Sequence, residues 1–180
     1  MNKKILIHLT DTCYGFATPF DNQFGIEKIF ELKKRPKGKI FSLLFENLEQ
    51  LKKYCFVDKV QEKFILENKF FSSFILKKKD ILKNFFSDFD TVCARIENEK
   101  FDFSPVGTDF FKNGKKPVTT TSVNISGENF FYGKEKILEV FGKFSDDIEM
   151  IFPENFKEKE VLLQSSKIFD LTKNDFGRIR

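Results

Sequence analysis

Apolar and polar residues recur along this chain with two periods, and the changes between them mark its elements. Ile5 to Leu9 is a short apolar run interrupted by His8, which predicts a buried strand over residues 4–9. Thr10, Asp11 and Thr12 are turn and cap formers, and Gly15 admits a positive φ, so the stretch through Pro19 reads as irregular. Ile26, Ile29, Phe30 and Lys33 fall at helical spacing. Pro36 stops that helix, because the residue before a proline is pushed out of the α region. Ile40 to Phe45 predicts a second strand. Asn47 with Gln50, and Asp58 with Gln61, have the spacing of capping boxes. The first opens a helix that buries Leu48 and Leu51, the second one that buries Val60, Phe64 and Ile65.

Phe74 to Leu76 reads as a strand, whereas residues 77–89 mix charge with Phe and fit neither period. Thr91 to Ile96 is a strand with Thr91, Cys93 and Arg95 on one face. A guanidinium near the end of so apolar a strand needs an anionic partner, internal or bound. Ser104-Pro105 predicts a helix start, with the helix running to about Lys112 and closed by Gly114. Pro117 to Gly127 follows, and seven of its eleven residues carry a hydroxyl, an amide or no side chain. Such a run is too polar to bury for packing alone, since an unpartnered hydroxyl or amide costs about 1–3 kcal/mol. It is either a Ser/Thr-rich edge strand and turn or a strand presenting donors to a polar ligand. A helix from Lys134 to Phe141 closed by Gly142, a strand over 148–152 and a last apolar run from Ile168 to Leu171 complete the chain. Strands and helices interleave with no repeat and no linker. The expectation is one α/β domain over residues 1–180, built on a twisted sheet of mixed parallel and antiparallel strands flanked by helices.

Composition narrows the chemistry. Hydrophobic residues make up 41% of 180, enough for a core, and the 26 Phe and absent Trp mark Phe as the general core filler. A net charge of +4 permits an anionic ligand or RNA without demanding one. Cys13, Cys55 and Cys93 are odd in number and far apart, which argues against a disulfide framework or a zinc site. His8, the only histidine, lies within a strand, where a neighbour satisfies it more readily than a catalytic role does. Neither G-x-G-x-x-G nor a P-loop occurs. No apolar run approaches the ~20 residues of a membrane span, nor a secretory leader, so a cytoplasmic protein is expected. Lys33, Lys34, Arg35, Lys37 and Lys39 set five cations in seven residues without an acid between them. They form either a solvated basic corner or a phosphate clamp with Arg35 as its fork.

Six stretches converge on a known family. Thr10-Asp11-Thr12-Cys13-Tyr14-Gly15-Phe16 resembles TDTVYGL, and Lys33-Lys34-Arg35-Pro36 with Lys39 resembles KxRPxxK. Val92 to Ile96 resembles VAVRI, and Thr121 to Gly127 resembles TSANLSG. Ser166 with Ile168 to Thr172 resembles STIVDLT, and Arg178-Ile179-Arg180 resembles RILR. Together, in this order, they resemble the YrdC-like (TsaC) threonylcarbamoyl-AMP synthases. The resemblance implies a concave basic site, an ATP-binding nucleotidyltransferase, and the conversion of L-threonine, bicarbonate or CO2, and ATP into threonylcarbamoyl-AMP and pyrophosphate. Mg2+ would come with ATP, held mainly by its phosphates. A TsaD-like transferase complex would pass the product to adenosine at position 37 of tRNAs, and weak binding of tRNA or double-stranded RNA is a further implied property. By position, Thr12, Arg95, Thr120 and Ser166 would hold threonine. Lys33, Arg35 and Lys39 would clamp the phosphates. Thr91, Ser122 and Arg180 would contact the nucleotide, and Asn124 would order its loop. Arg35, Lys39 and Arg95 would be the residues closest to the chemistry.

The chain departs from the pattern at Leu9, at Lys69 to Phe71, and at Glu97, Val123, Leu44, Phe130 and Lys167. The cations and hydroxyls survive while turns and small positions do not. That leaves two other readings beside the synthase, a catalytically altered YciO-like paralogue and a nucleotide- or RNA-binding module. Phe130 stands where the family has a small polar residue near the nucleotide, and the expectation is that its ring tucks beside Phe131 into one apolar pocket.

Overall fold

The period-two stretches become the strands of a single sheet. The computed structural model describes residues 5–36, 39–97, 116–131, 133–152 and 165–180. The strands are β1 (Ile5–Leu9), β2 (Tyr14–Pro19), β3 (Ser42–Phe45), β4 (Ser72–Lys77), β5 (Thr91–Ile96), β6 (Val118–Ser122), β7 (Ile148–Met150) and β8 (Lys167–Asp170). The helices are α1 (Gln23–Leu32), α2 (Leu48–Tyr54), α3 (Lys59–Asn68) and α4 (Lys134–Phe141). The strand order is β7-β1-β2-β6-β3-β5-β4-β8. Pairings β1–β7, β3–β5 and β4–β8 are parallel and the others antiparallel, so the sheet is mixed as expected. The helix expected over 104–112 lies outside the described residues.

Register assigns the two faces, because residues opposite one another across a ladder point the same way. Ile7 lies opposite Phe16, Leu43 opposite Ala94, and Ala94 opposite Phe74. These residues point to one side, where Ile29, Leu51, Ile65 and Phe141 of the four helices complete the main core. The alternate set points to the other side. There Gly15 faces Ser122, Ser42 faces Thr120, Leu44 faces Arg95, and Cys93 faces Ile75. Leu6, Ala17, Leu44 and Val118 form only a small apolar cluster on that side. Arg95, Cys93, Ser42, Thr120 and Ser122 therefore gather on the face opposite the helices, while Thr18 and Thr119 are buried on the core face.

Three local expectations change. β2 replaces the irregular stretch. Its glycine, alanine and proline favour a strand weakly, but ladders to β1 and β6 on both edges supply its hydrogen bonds, and Pro19 sits at the strand end where it is tolerated. The Asp58 box is complete, with Gln61 N–H donating to Asp58 Oδ1 at 2.8 Å and Asp58 N–H to Gln61 Oε1 at 2.9 Å. At Asn47 only the forward bond forms; Gln50 Oε1 reaches back one residue further, to Glu46 N–H at 2.9 Å. Val60, expected inside, is 67% exposed, because α3 buries Ile65 and leaves its first turn at the surface.

Candidate functional site

Strands β3, β5 and β6, with the segments after β1, after α1 and on either side of β8, bring polar side chains to one concavity of about 350 Å³ on the face opposite the helices. Thr12, Arg95, Thr120 and Ser166 all line it, as do Arg35, Ser122 and Arg180. Residues separated by most of the chain thus meet because β2, β3, β5 and β6 are neighbours in the sheet.

The partner Arg95 required is internal. Its guanidinium forms an ion pair with Asp11 and donates to Thr12 Oγ1 at 3.3 Å. Asp11 also accepts from Phe71 N–H at 3.2 Å, which ties the first turn to the start of β4. Arg35 is held differently. Its Nε donates to the Lys39 carbonyl at 3.0 Å and its Nη2 to the Ile40 carbonyl at 2.8 Å, and the guanidinium lies 5.3 Å from the Phe41 ring centroid. Neither Arg35 nor Arg180, whose Nε donates to the Ser166 carbonyl at 3.2 Å, has a carboxylate partner among the described residues. Arg95 is thus compensated from within and the other two guanidiniums are not, which suits them to bound anions.

The hydroxyls divide as well. Ser166 Oγ lies 3.0 Å from Ser73 Oγ, and Ser122 donates to Asn124 Oδ1 at 2.7 Å. Thr120 Oγ1 has no hydrogen-bond partner among the described residues and lines the cavity. Ser42 donates to Cys93 Sγ at 3.2 Å. Burial pushes the thiols of Cys93 and Cys13, both on the cavity wall, above their ordinary value. They remain thiols near neutrality and are poor nucleophiles.

Four expected positions do not line the cavity. Lys33 is 1% exposed, and its ammonium donates to the Ser122 carbonyl, to the Asn124 carbonyl at 3.0 Å and to Asn124 Oδ1 at 2.8 Å. Burial, aided by the Arg35 charge, lowers it to about 7. Lys33 staples the loop after β6 to the end of α1 and does not line the cavity. Asn124 is its counterpart and also donates to the Glu128 carbonyl at 2.7 Å, so it orders the loop from within. The Lys39 side chain points to solvent, and only its carbonyl serves the site, through Arg35. Thr91 shares a strand face with Cys93 and Arg95 but lies at the far end of β5, opposite Lys77.

Phe130 is also placed against expectation. Phe131, not Phe130, takes the apolar slot, 5.9 Å from the Phe141 ring. Neighbours in an extended segment face opposite ways, so Phe130 falls on the cavity wall. His8 is only half satisfied. Its Nδ1 bonds the Leu9 carbonyl at 2.8 Å while Nε2, fully buried, has no hydrogen-bond partner among the described residues. Asp11, Ser42 and Ser73 were missed as site residues. The alternation that exposed Cys93 and Arg95 had no counterpart for them, since their positions depend on which strands become neighbours.

Fold and cavity together define an α/β protein with an open mixed sheet and an arginine-lined cavity on the face away from its helices. The chain belongs to the Sua5/YciO/YrdC family, whose model, described as "Telomere recombination", matches residues 2–180. A Methanocaldococcus jannaschii protein with the provisional name threonylcarbamoyl-AMP synthase is 32% identical over 133 residues, 71% of this chain and 58% of that protein. The threonylcarbamoyl-AMP synthase of Pseudoalteromonas translucida is 26% identical over 155 residues, 80% of this chain and 79% of the relative. The crystal structure of P. abyssi Sua5 complexed with L-threonine superposes with a TM-score of 0.79 at 21% identity, covering 99% of this chain and 50% of that one. The chain thus spans little more than half of the first and half of the last.

Proposed function

We propose that this chain is an L-threonylcarbamoyladenylate synthase. The observation that supports it most is the division of charge in the cavity: Arg95 compensated by Asp11 beside Thr12, and Arg35 and Arg180 uncompensated. The first arrangement suits the carboxylate of a zwitterionic amino acid, which would exchange with or share the Asp11 contact. The second suits a polyphosphate.

The reaction needs positioning and charge neutralisation more than a protein nucleophile. The amine of threonine adds to CO2 derived from bicarbonate and loses a proton, giving a carbamate. A carbamate oxygen attacks the α-phosphorus of ATP, the bond from that phosphorus to the bridging oxygen breaks, and pyrophosphate leaves with the electron pair. Arg95 and Thr12 hold threonine, with Thr120 and Ser166 completing its pocket. Arg35 and Arg180 draw charge from the phosphates, and Ser122 faces the nucleotide. Among the described residues no cluster of three carboxylate, His or Cys ligands could hold a metal, and Asp11 is engaged by Arg95. Mg2+ would come with ATP, held mainly by phosphate oxygens, whose negative charge it would reduce. A TsaD-like complex would consume the product in tRNA modification. Among the described residues no helix is long and apolar enough to cross a membrane.

The test is pyrophosphate release measured with threonine, bicarbonate and ATP omitted in turn. Release is expected only when all three are present. Serine, lacking one methyl, should be poorer by roughly 10- to 200-fold. Release from ATP alone, or equal use of serine, would mean another reaction.

A further inference from the structure

We infer that Phe130 is the stacking platform for the base of the bound nucleotide, an inference that rests on the proposal that ATP occupies this cavity. Among the described residues two aromatic rings line the concavity, Phe41 and Phe130. Phe41 is 1% exposed; it stacks on Phe30 at 4.4 Å and meets the Arg35 guanidinium at 5.3 Å, so its surface is taken. Phe130 is partly exposed and makes no ring contact in the described structure. An aromatic face that shares a cavity with guanidiniums, hydroxyls and the aliphatic side chains of Ile40, Ile75 and Ile168 is complementary to a ligand with one planar part and one anionic part. Nucleotides have that form, with the base on Phe130 and the phosphates toward Arg35 and Arg180.

The backbone that carries the ring is held in place, which a platform requires. Ser126 N–H donates to the Lys33 carbonyl at 2.7 Å, and Asn124 Nδ2 to the Glu128 carbonyl at 2.7 Å. Phe131 N–H donates to the Val123 carbonyl at 3.4 Å while its ring packs toward Phe141 at 5.9 Å. The loop is thus fixed on both sides of residue 130, and little freedom is lost when a base settles on the ring. Occlusion is the competing reading. Against it, a space of about 350 Å³ remains with the ring in place, within the range of small-ligand sites.

The experiment is calorimetric titration of ATP and of inorganic tripolyphosphate, a probe without a base, into wild type, Phe130→Ala and Phe130→Trp. Loss of one stacking surface should weaken ATP by roughly 5- to 150-fold in Phe130→Ala and leave tripolyphosphate within about twofold. Phe130→Trp should retain ATP affinity, which separates a platform from a packing residue. The adenine ring protons of bound ATP should shift upfield in wild type and lose that shift in Phe130→Ala. Unchanged or tighter ATP binding by Phe130→Ala overturns the inference, as does a wild type that binds tripolyphosphate and ATP equally. ATP binding that depends on Phe130 without threonine-dependent pyrophosphate release would overturn the synthase reading and leave the platform standing.

Discussion

Arg95 on β5 and Asp11 in the turn after β1 form an ion pair across 84 residues of chain, with side chains 11% and 8% exposed. The pair does two things. It lets a guanidinium sit on a mostly apolar strand, and it fixes the direction in which that guanidinium faces Thr12 and the cavity.

Removing either partner should therefore have different consequences. Asp11→Ala leaves a largely buried cation without its carboxylate and should cost about 3 kcal/mol of stability, read as a lower denaturant midpoint. Arg95→Ala leaves the Asp11 carboxylate unpaired and should lower stability by a similar amount, but it should in addition raise the apparent KM for threonine and leave that for ATP within a few fold. If both changes act on ATP alone, Arg95 does not hold the amino acid.

Arg35 is tethered through two carbonyls and has no carboxylate to release before it meets an anion. Arg35→Ala should weaken ATP by roughly 10- to 150-fold, the range for one or two charge-assisted hydrogen bonds. Arg35→Lys should recover little, because a point charge cannot bond two carbonyls and a phosphate in one plane. Titrations of ATP into both variants at fixed salt decide this.

For Lys33 the expectation is structural. Lys33→Met removes a buried donor that three oxygens of the Ser122 to Asn124 segment share, of which Asn124 Oδ1 keeps its bond from Ser122, and should lower stability by about 2 kcal/mol. A residue that touched phosphate would also change the salt dependence of ATP binding. That dependence should be the same in Lys33→Met and wild type, whereas Arg35→Ala should flatten it.

His8 predicts an acid limb in stability. Burial lowers it from 6.5 to about 4, helped by the Arg95 charge and opposed by its bond to the Leu9 carbonyl. In the unfolded chain the imidazole takes up a proton near pH 6.5, while in the folded chain it stays neutral to about pH 4. The unfolded state therefore binds more protons in that window, and stability falls as pH drops through it, by up to about 3 kcal/mol. Melting temperatures from pH 7 to 4 should show the decline, and His8→Leu should remove this part of it. A wild-type curve parallel to that of His8→Leu would show that the buried nitrogen does not resist protonation.

How far the sequence determined this protein is seen in particular residues. Helix starts and strand faces were legible because they depend on neighbours in the chain. The Asp58–Gln61 box, the alternation of Cys93 and Arg95 on β5, and the stop before Pro36 all follow from local geometry. Motif order also named the cavity residues Thr12, Arg35, Arg95, Thr120, Ser122, Ser166 and Arg180. What it could not assign was which of two equivalent positions faces which way. Lys33 and Arg35 look alike in a basic run, yet one is drawn under the loop after β6 by three oxygens and the other reaches the cavity. Phe130 and Phe131 look alike too, and the vacancy beside Phe141 accepts only one of them. Asp11 reads as a turn residue until β5 brings Arg95 to it. Local spacing determines backbone conformation, because that is a matter of a few bonds. The partner of a buried charge or ring is determined by strand order, and strand order depends on packing between residues far apart in the chain.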